Sequence, residues 1–315
     1  MDLRRLSCFA LFLTITSSLV TLFTASAPHV GAQPQEQNAQ TVVFLVSSQI
    51  PPNASIEPIL IIEQGEYKAP IAGDSDEAEI SRFGADYYRK GRKFRVLFGG
   101  GEAGTVTVKK ATPDAECSRT AAEVSLQTTA RLNNNVMALA TNSSSLGRKQ
   151  SSRRAPTIAE RAAAMSLARK AYQQNGVPAS LLAGTQTINL TATDIDNDGK
   201  FELIGTYVVR KTKGAQVRHL LFLLAEPQGR SYQAGLAEYG KLTNEDVQGG
   251  LGLDEIIQSG TLTEKLVDQL DLDNDGVAEV ITVTNSFEGV SYTFYKKQQG
   301  KWQNIYKSGG YRCAF

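Results

Sequence analysis

Along most of this chain the apolar positions fall in short β-branched or alternating runs, the pattern of half-buried strands. Residues 41–47, 59–63, 66–69, 93–98 and 105–109 each read as a strand, with Gln64-Gly65 as the turn between the second and third. Pro51, Pro52, Pro58 and Pro70 punctuate the connections. Residues 41–132 are therefore expected to form a small antiparallel β domain, either a compact sheet or a small barrel. A helical period appears after that. Thr157 and Glu160 make a capping box, and Ile158, Ala162, Met165, Ala168 and Tyr172 recur on one face up to Gly176. The alanine content of that stripe predicts one long helix lying close against a sheet.

From Gly184 onward the pattern repeats. Ile188 and Leu190 precede one polar stretch, and Leu266 and Leu270 precede another. Strands are expected over 203–210 and 280–285, then 219–224 and 291–295, followed by the turns Gln228-Gly229 and Gln299-Gly300. The predicted class is mainly β with one long helix (α+β), the C-terminal hairpin repeats arranged as a propeller-like body or an open sheet. Residues 133–156 carry Asn and Ser runs with Arg148, Lys149, Arg153 and Arg154, and read as a polar linker before a second domain at 157–315. Gly99-Gly100-Gly101-Glu102-Ala103-Gly104 satisfies G-x-G-x-x-G, but a strand and not a helix follows it, so a glycine hairpin or bulge is expected there.

Composition changes this picture at the N-terminus. Arg4 and Arg5 precede an apolar run over 8–23 and small residues up to Ala32, the layout of a secretory signal peptide over 1–32, with a polar, disordered lead-in at 33–40. The run falls short of the ~20 residues of a spanning helix. Cleavage after Ala32 would remove two arginines and one aspartate from 33 basic and 32 acidic residues, leaving 31 of each. A neutral mature chain disfavours nucleic acid or an anionic membrane as partner. Secretion or residence in the periplasm or cell envelope follows, and Cys117 and Cys313 become an expected disulfide.

The candidate chemistry lies in the polar stretches of the repeat. Asp194-Ile195-Asp196-Asn197-Asp198-Gly199-Lys200-Phe201-Glu202 returns as Asp271-Leu272-Asp273-Asn274-Asp275-Gly276-Val277-Ala278-Glu279. Carboxylates at loop positions 1, 3 and 5 converge when glycine at position 6 permits a sharp turn, and hard oxygens suit calcium. Asp194, Asp196, Asp198 and Glu202 would supply side chains and Lys200 a carbonyl to one ion. Asp271, Asp273, Asp275 and Glu279, with the Val277 carbonyl, would serve a second. Without a cation the clustered carboxylates repel one another. An EF-hand needs a glutamate at position 12, where Gly205 and Thr282 stand.

These loops resemble the calcium loops of integrin-like FG-GAP and VCBS repeats, with glutamate in place of the usual aspartate at position 9. The likeness covers residues 184–310, and two copies are fewer than a closed propeller needs. It implies two calcium ions stiffening a β repeat domain that binds or adheres at the cell envelope, with a glycan or envelope protein as partner. A carboxylate-type secreted hydrolase and a purely structural envelope protein are the alternatives. The chain has no G-x-S-x-G or H-E-x-x-H, and nothing local to His219 marks it as a general base. Most of the aromatics Tyr292, Phe294, Tyr295, Trp302, Tyr306 and Tyr311 read as core packing, with a sugar-stacking surface around Trp302 as the rival.

Overall fold

The N-terminal strands close on themselves into a barrel. The computed structural model describes residues 40–50, 53–71, 76–115, 118–133, 135–210, 216–247 and 252–311. The signal-like segment, the lead-in up to residue 39 and the Cys117–Cys313 pairing lie outside the described residues. Strands β1 (Thr41–Ile50), β2 (Asn53–Glu63), β3 (Glu66–Lys68), β4 (Lys93–Phe98), β5 (Gly101–Ala111), β6 (Ala122–Thr128) and β7 (Ala138–Thr141) form one antiparallel sheet in the order β1-β7-β4-β5-β6-β2-β3. β1 also pairs β2, so the six strands other than β3 close on themselves and their edges are satisfied. The inward residues Val42, Phe44, Val46, Phe94, Val96, Val106 and Val124 are buried. Helix α1 (Glu77–Tyr87), capped by Asp76 accepting from the Glu79 amide, packs Phe83 among them.

Neither α1 nor β7 is predicted by the sequence patterns. β7 lies within the stretch expected to be a linker. Its four residues are all buried, and short alanine-rich runs carry little strand signal of their own.

The rest of the chain is α2 (Ile158–Gln174), α3 (Ala179–Leu182), β8 (Thr185–Thr193), β9 (Glu202–Arg210), β10 (Val217–Gln228), β11 (Ser231–Thr243), α4 (Leu253–Ser259), β12 (Lys265–Leu270), β13 (Glu279–Asn285), β14 (Gly289–Gln298) and β15 (Lys301–Tyr311). The fold is thus mainly β with antiparallel sheets, as expected, but four α-helices and not one long helix accompany them among the described residues. The strands make two antiparallel four-stranded sheets in sequential order, β8 to β11 and β12 to β15. No ring of blades closes among the described residues. The two sheets share a core of Ile204, Phe222 and Leu224 against Leu266, Val280, Tyr295 and Trp302. The far face of the second sheet, with Leu270, Ile281 and Phe294, packs on the outside of the barrel at Val43, Leu45, Leu97 and Leu139. Every residue of β12 is buried, because the strand is covered on both faces.

α2 covers the far face of the first sheet. Its Thr157–Glu160 capping box forms as predicted. The buried stripe is Ala164, Ala168, Ala171 and Tyr172, rotated from the predicted one, and Ile158 is 88% exposed. The alanines allow the close approach, and the tyrosine fills the remaining space beside Tyr207 and Leu221. No described helix is long and apolar enough to cross a membrane.

Candidate metal centre

The two acidic loops join the first two strands of each sheet in identical register: Thr193 pairs Glu202, and Leu270 pairs Glu279. Asn197 and Asn274 both sit at φ 60°, and Gly199 and Gly276 at φ 82° and 93°. Glycine and asparagine are the residues that tolerate this left-handed backbone, so both turns are written in the sequence. The amide bonds repeat as well. Gly199 donates to Asp194 Oδ2 at 3.1 Å, and Gly276 to Asp271 Oδ2 at 3.0 Å. Lys200 donates to Asp198 Oδ1 at 2.7 Å, and Val277 to Asp275 Oδ1 at 2.9 Å. Ile195 donates to Glu202 Oε2 at 3.0 Å, and Leu272 to Glu279 Oε2 at 2.8 Å. The glutamate at position 9 therefore ties the start of each loop to the strand that follows it.

Side-chain oxygens of Asp194, Asp196 and Glu202 lie within 4.8 Å of one another, and those of Asp271, Asp273 and Asp275 do the same. Both clusters could hold a metal ion. Asp198 stands outside the first and pairs with the Lys200 ammonium at 2.6 Å, a contact whose lysine is 62% exposed. Such an exposed pair contributes little and yields readily to a stronger cation.

Each loop has one buried carboxylate oxygen without a hydrogen bond, Asp194 Oδ1 in the first and Glu279 Oε1 in the second, and the loops differ in the charge that faces it. Asp194 is 7% exposed, and its Oδ1 is buried without a hydrogen-bond partner. Burial pushes the Glu202 carboxyl up to about 7, with the nearby Asp196 and Asp194 charges adding to the rise against the Ile195 amide. In the second loop the corresponding aspartate is saturated, Asp271 Oδ1 accepting from the Asp275 amide at 3.1 Å. There the Lys296 ammonium, from β14, lies 2.5 Å from Asp273 Oδ2, 2.7 Å from Asp275 Oδ2 and 3.0 Å from Glu279 Oε1. Burial raises the Glu279 carboxyl, with the Leu272 amide and the ammonium opposing. Burial disfavours the Lys296 charge, yet its three carboxylate partners hold its pKa above the usual lysine value.

Residues from the expected linker hold the first loop in place. Arg148 donates to the Asp194 and Ile195 carbonyls at 3.3 and 3.0 Å and to Asn197 Oδ1 at 3.3 Å. Ser152 and Gln269 also donate to the Asp194 carbonyl, and the Ala278 amide of the second loop donates to Ile195 at 3.1 Å. The loops are thus in direct contact. Nearby, the Gly99 amide donates to both oxygens of the fully buried Asp268, and Arg153 lies 3.4 Å from Asp268 Oδ1 with its guanidinium over Phe98. The glycine turn between β4 and β5 is a hairpin, as expected. Its glycines serve close approach: a Cβ at Gly99 would lie 2.4 Å from Arg153 Cβ, and one at Gly101 only 2.2 Å from the Gln150 carbonyl carbon.

The sequence reading missed Arg148, Gln269 and Lys296. A basic run in polar surroundings looks solvated, and Lys296 reaches its loop from 23 residues away along the chain. Trp302 is buried, with Nε1 donating to Glu226, so it belongs to the core. His219 pairs with the Tyr239 hydroxyl at 2.7 Å and stacks on its ring. A cleft of ≈ 380 Å³ beneath α1 has Glu77 and Asp114 among its lining residues, but both are exposed and Glu77 pairs with Arg119 at 3.3 Å. Comparison of the chain with protein-family models, with curated proteins and with solved structures finds no match.

Proposed function

We propose that this protein is an exported, calcium-stabilised β scaffold that binds a glycan or an envelope protein at the cell envelope, and that the loop 194–202 is its calcium site. The observation that carries the metal assignment is the buried, unpartnered Asp194 Oδ1. A buried carboxylate oxygen without a donor costs on the order of 1–3 kcal/mol or more, and a cation coordinated there removes that cost. Its neighbours are all hard oxygens, the donor set that selects calcium or magnesium over softer metals. Asp194, Asp196 and Glu202 would hold the ion, with Asp198 and the Lys200 carbonyl completing the set. The bound ion supplies charge neutralisation and no reaction step. The export and binding parts of the proposal rest on the signal-like N-terminus and on the resemblance to FG-GAP and VCBS loops.

The test is thermal unfolding in EDTA and in millimolar calcium, beside calorimetric titration of the metal. An ion at about 100 times its Kd stabilises the fold by about 2.7 kcal/mol. The calcium-dependent rise in Tm should vanish in Asp194→Asn. Equal melting temperatures in both buffers, with no heat of binding, would remove the metal site from the proposal.

A further inference from the structure

Both loops bring three carboxylates together, yet the second has less need of an ion. We infer that Lys296 is its resident cation, so that the native chain takes one divalent ion where its repeated sequence suggests two. The contrast with a metal-bound first loop rests on the function proposed above. The occupancy of the second loop does not.

An ammonium has three N–H donors. Lys296 has three carboxylate oxygens around it, from Asp273, Asp275 and Glu279, all within 3.0 Å. Its side chain is 10% exposed against 62% for Lys200, and Glu279 is fully buried while Asp273 and Asp275 are half-exposed, so the Lys296–Glu279 pair is the one best shielded from water. The fourth carboxylate, Asp271, has each oxygen on a backbone amide, from Asp275 and Gly276. Glu279 Oε1, like Asp194 Oδ1, is buried without a hydrogen bond, but the Lys296 ammonium lies 3.0 Å from it.

Strand register shows how the difference arises. Leu203 follows Glu202 and faces Ala225, whereas Val280 follows Glu279 and faces Tyr295. Lys296 therefore occupies the place that Glu226 has in the first sheet. Glu226 turns instead to Trp302 Nε1 at 2.8 Å and to Lys297 at 2.7 Å. One copy of the repeat carries a carboxylate at this position and the other an ammonium. A divalent ion entering the second loop would have to displace the Lys296 ammonium from its three carboxylates, and that competition excludes it.

Calorimetric calcium titration of the whole chain tests this in four proteins: wild type, Asp194→Asn, Lys296→Met and the double variant. The expected stoichiometries are one, none, two and one ion. In EDTA, Lys296→Met should also melt lower than wild type, because four carboxylates then face one another unneutralised, and calcium should restore it. Two ions bound to wild type would overturn the inference while leaving the first site intact. No ion bound to wild type but one bound to the double variant would uphold the inference and overturn the first site. Folded Lys296→Met, or Lys296→Gln in its place, that binds no more calcium than wild type would also overturn it. If neither variant folds, the wild-type stoichiometry decides alone.

Discussion

Among the described residues, Asp268 and Arg153 are the most deeply buried charged pair that joins two layers of the molecule. Both side chains are almost fully covered, with relative exposures of 0% and 4%. Removing one partner of such a pair leaves a charge without compensation, which typically costs 3–5 kcal/mol. Arg153→Met should lower the urea-unfolding free energy by about that amount, and a loss below 1 kcal/mol would show that the guanidinium is dispensable. Burial raises the Asp268 carboxyl to about 6, although Arg153 and the Gln269 and Gly99 amides favour its ionised form. An unfolded aspartate titrates near ~4. Since the folded value is the higher, this group's contribution to stability is full below pH ~4 and is lost as the pH rises through about 6. Relative to Asp268→Asn, wild-type stability should therefore fall by about 3 kcal/mol between pH 4 and pH 7. A flat difference across that range would mean that the carboxyl is not raised.

The same scale shows what a sequence exposes. Asp194 to Glu202 and Asp271 to Glu279 could be nominated because all their geometry is local: glycine fixes the turn, and the spacing fixes the carboxylates. Lys296 could not, since its position depends on the β13–β14 register, and neither could Arg148, whose targets are backbone carbonyls. Two loops alike in sequence therefore differ in charge balance through residues outside them.

At the scale of the element, α2 shows how a capping signal outlasts a phase error. Thr157 and Glu160 set the helix start correctly because their bonds are made within one turn. The buried face differs from the expected one because alanines occupy several faces, and the sheet beneath selects among them. Thr157→Ala should cost about 1 kcal/mol, measured by chemical denaturation. Ile158→Ala, at an 88% exposed position, should change stability by less than about 0.5 kcal/mol. The glycine hairpin behaves in the opposite way. Gly101→Ala places a methyl group against the Gln150 backbone, and this overpacking should cost about 1–3 kcal/mol. A neutral Gly101→Ala would show that the 147–153 segment is free to retreat.

At the scale of the whole molecule, the barrel, two sheets and α2 form successive layers, and the acidic loops meet where the barrel's glycine turn and both sheets come together. The strand-rich class and the repeat were legible because alternation and turn chemistry are local. The order of the layers was not, because β12 is buried on both faces and then shows no alternation to reveal which neighbour it has. Calcium bound at the first loop would brace a seam held by Arg148, Ser152 and Gln269, so its removal should loosen this seam before either sheet. Hydrogen exchange in EDTA should show early loss of protection at the Arg148–Ser152 and Ala278 amides, ahead of β10 and β14.

The closure of the barrel has a consequence for synthesis. β1 is held on one side by β7, and Val42 bonds Asn142 across 100 residues of chain. Until β7 emerges, β1 and β4 each present a bare edge, and the chain must wait with both exposed. Long-range closure of this kind is slow, and open edges invite pairing between molecules. A fragment stopped at residue 132 should therefore aggregate, whereas one extended past Thr141 can seal its own last seam.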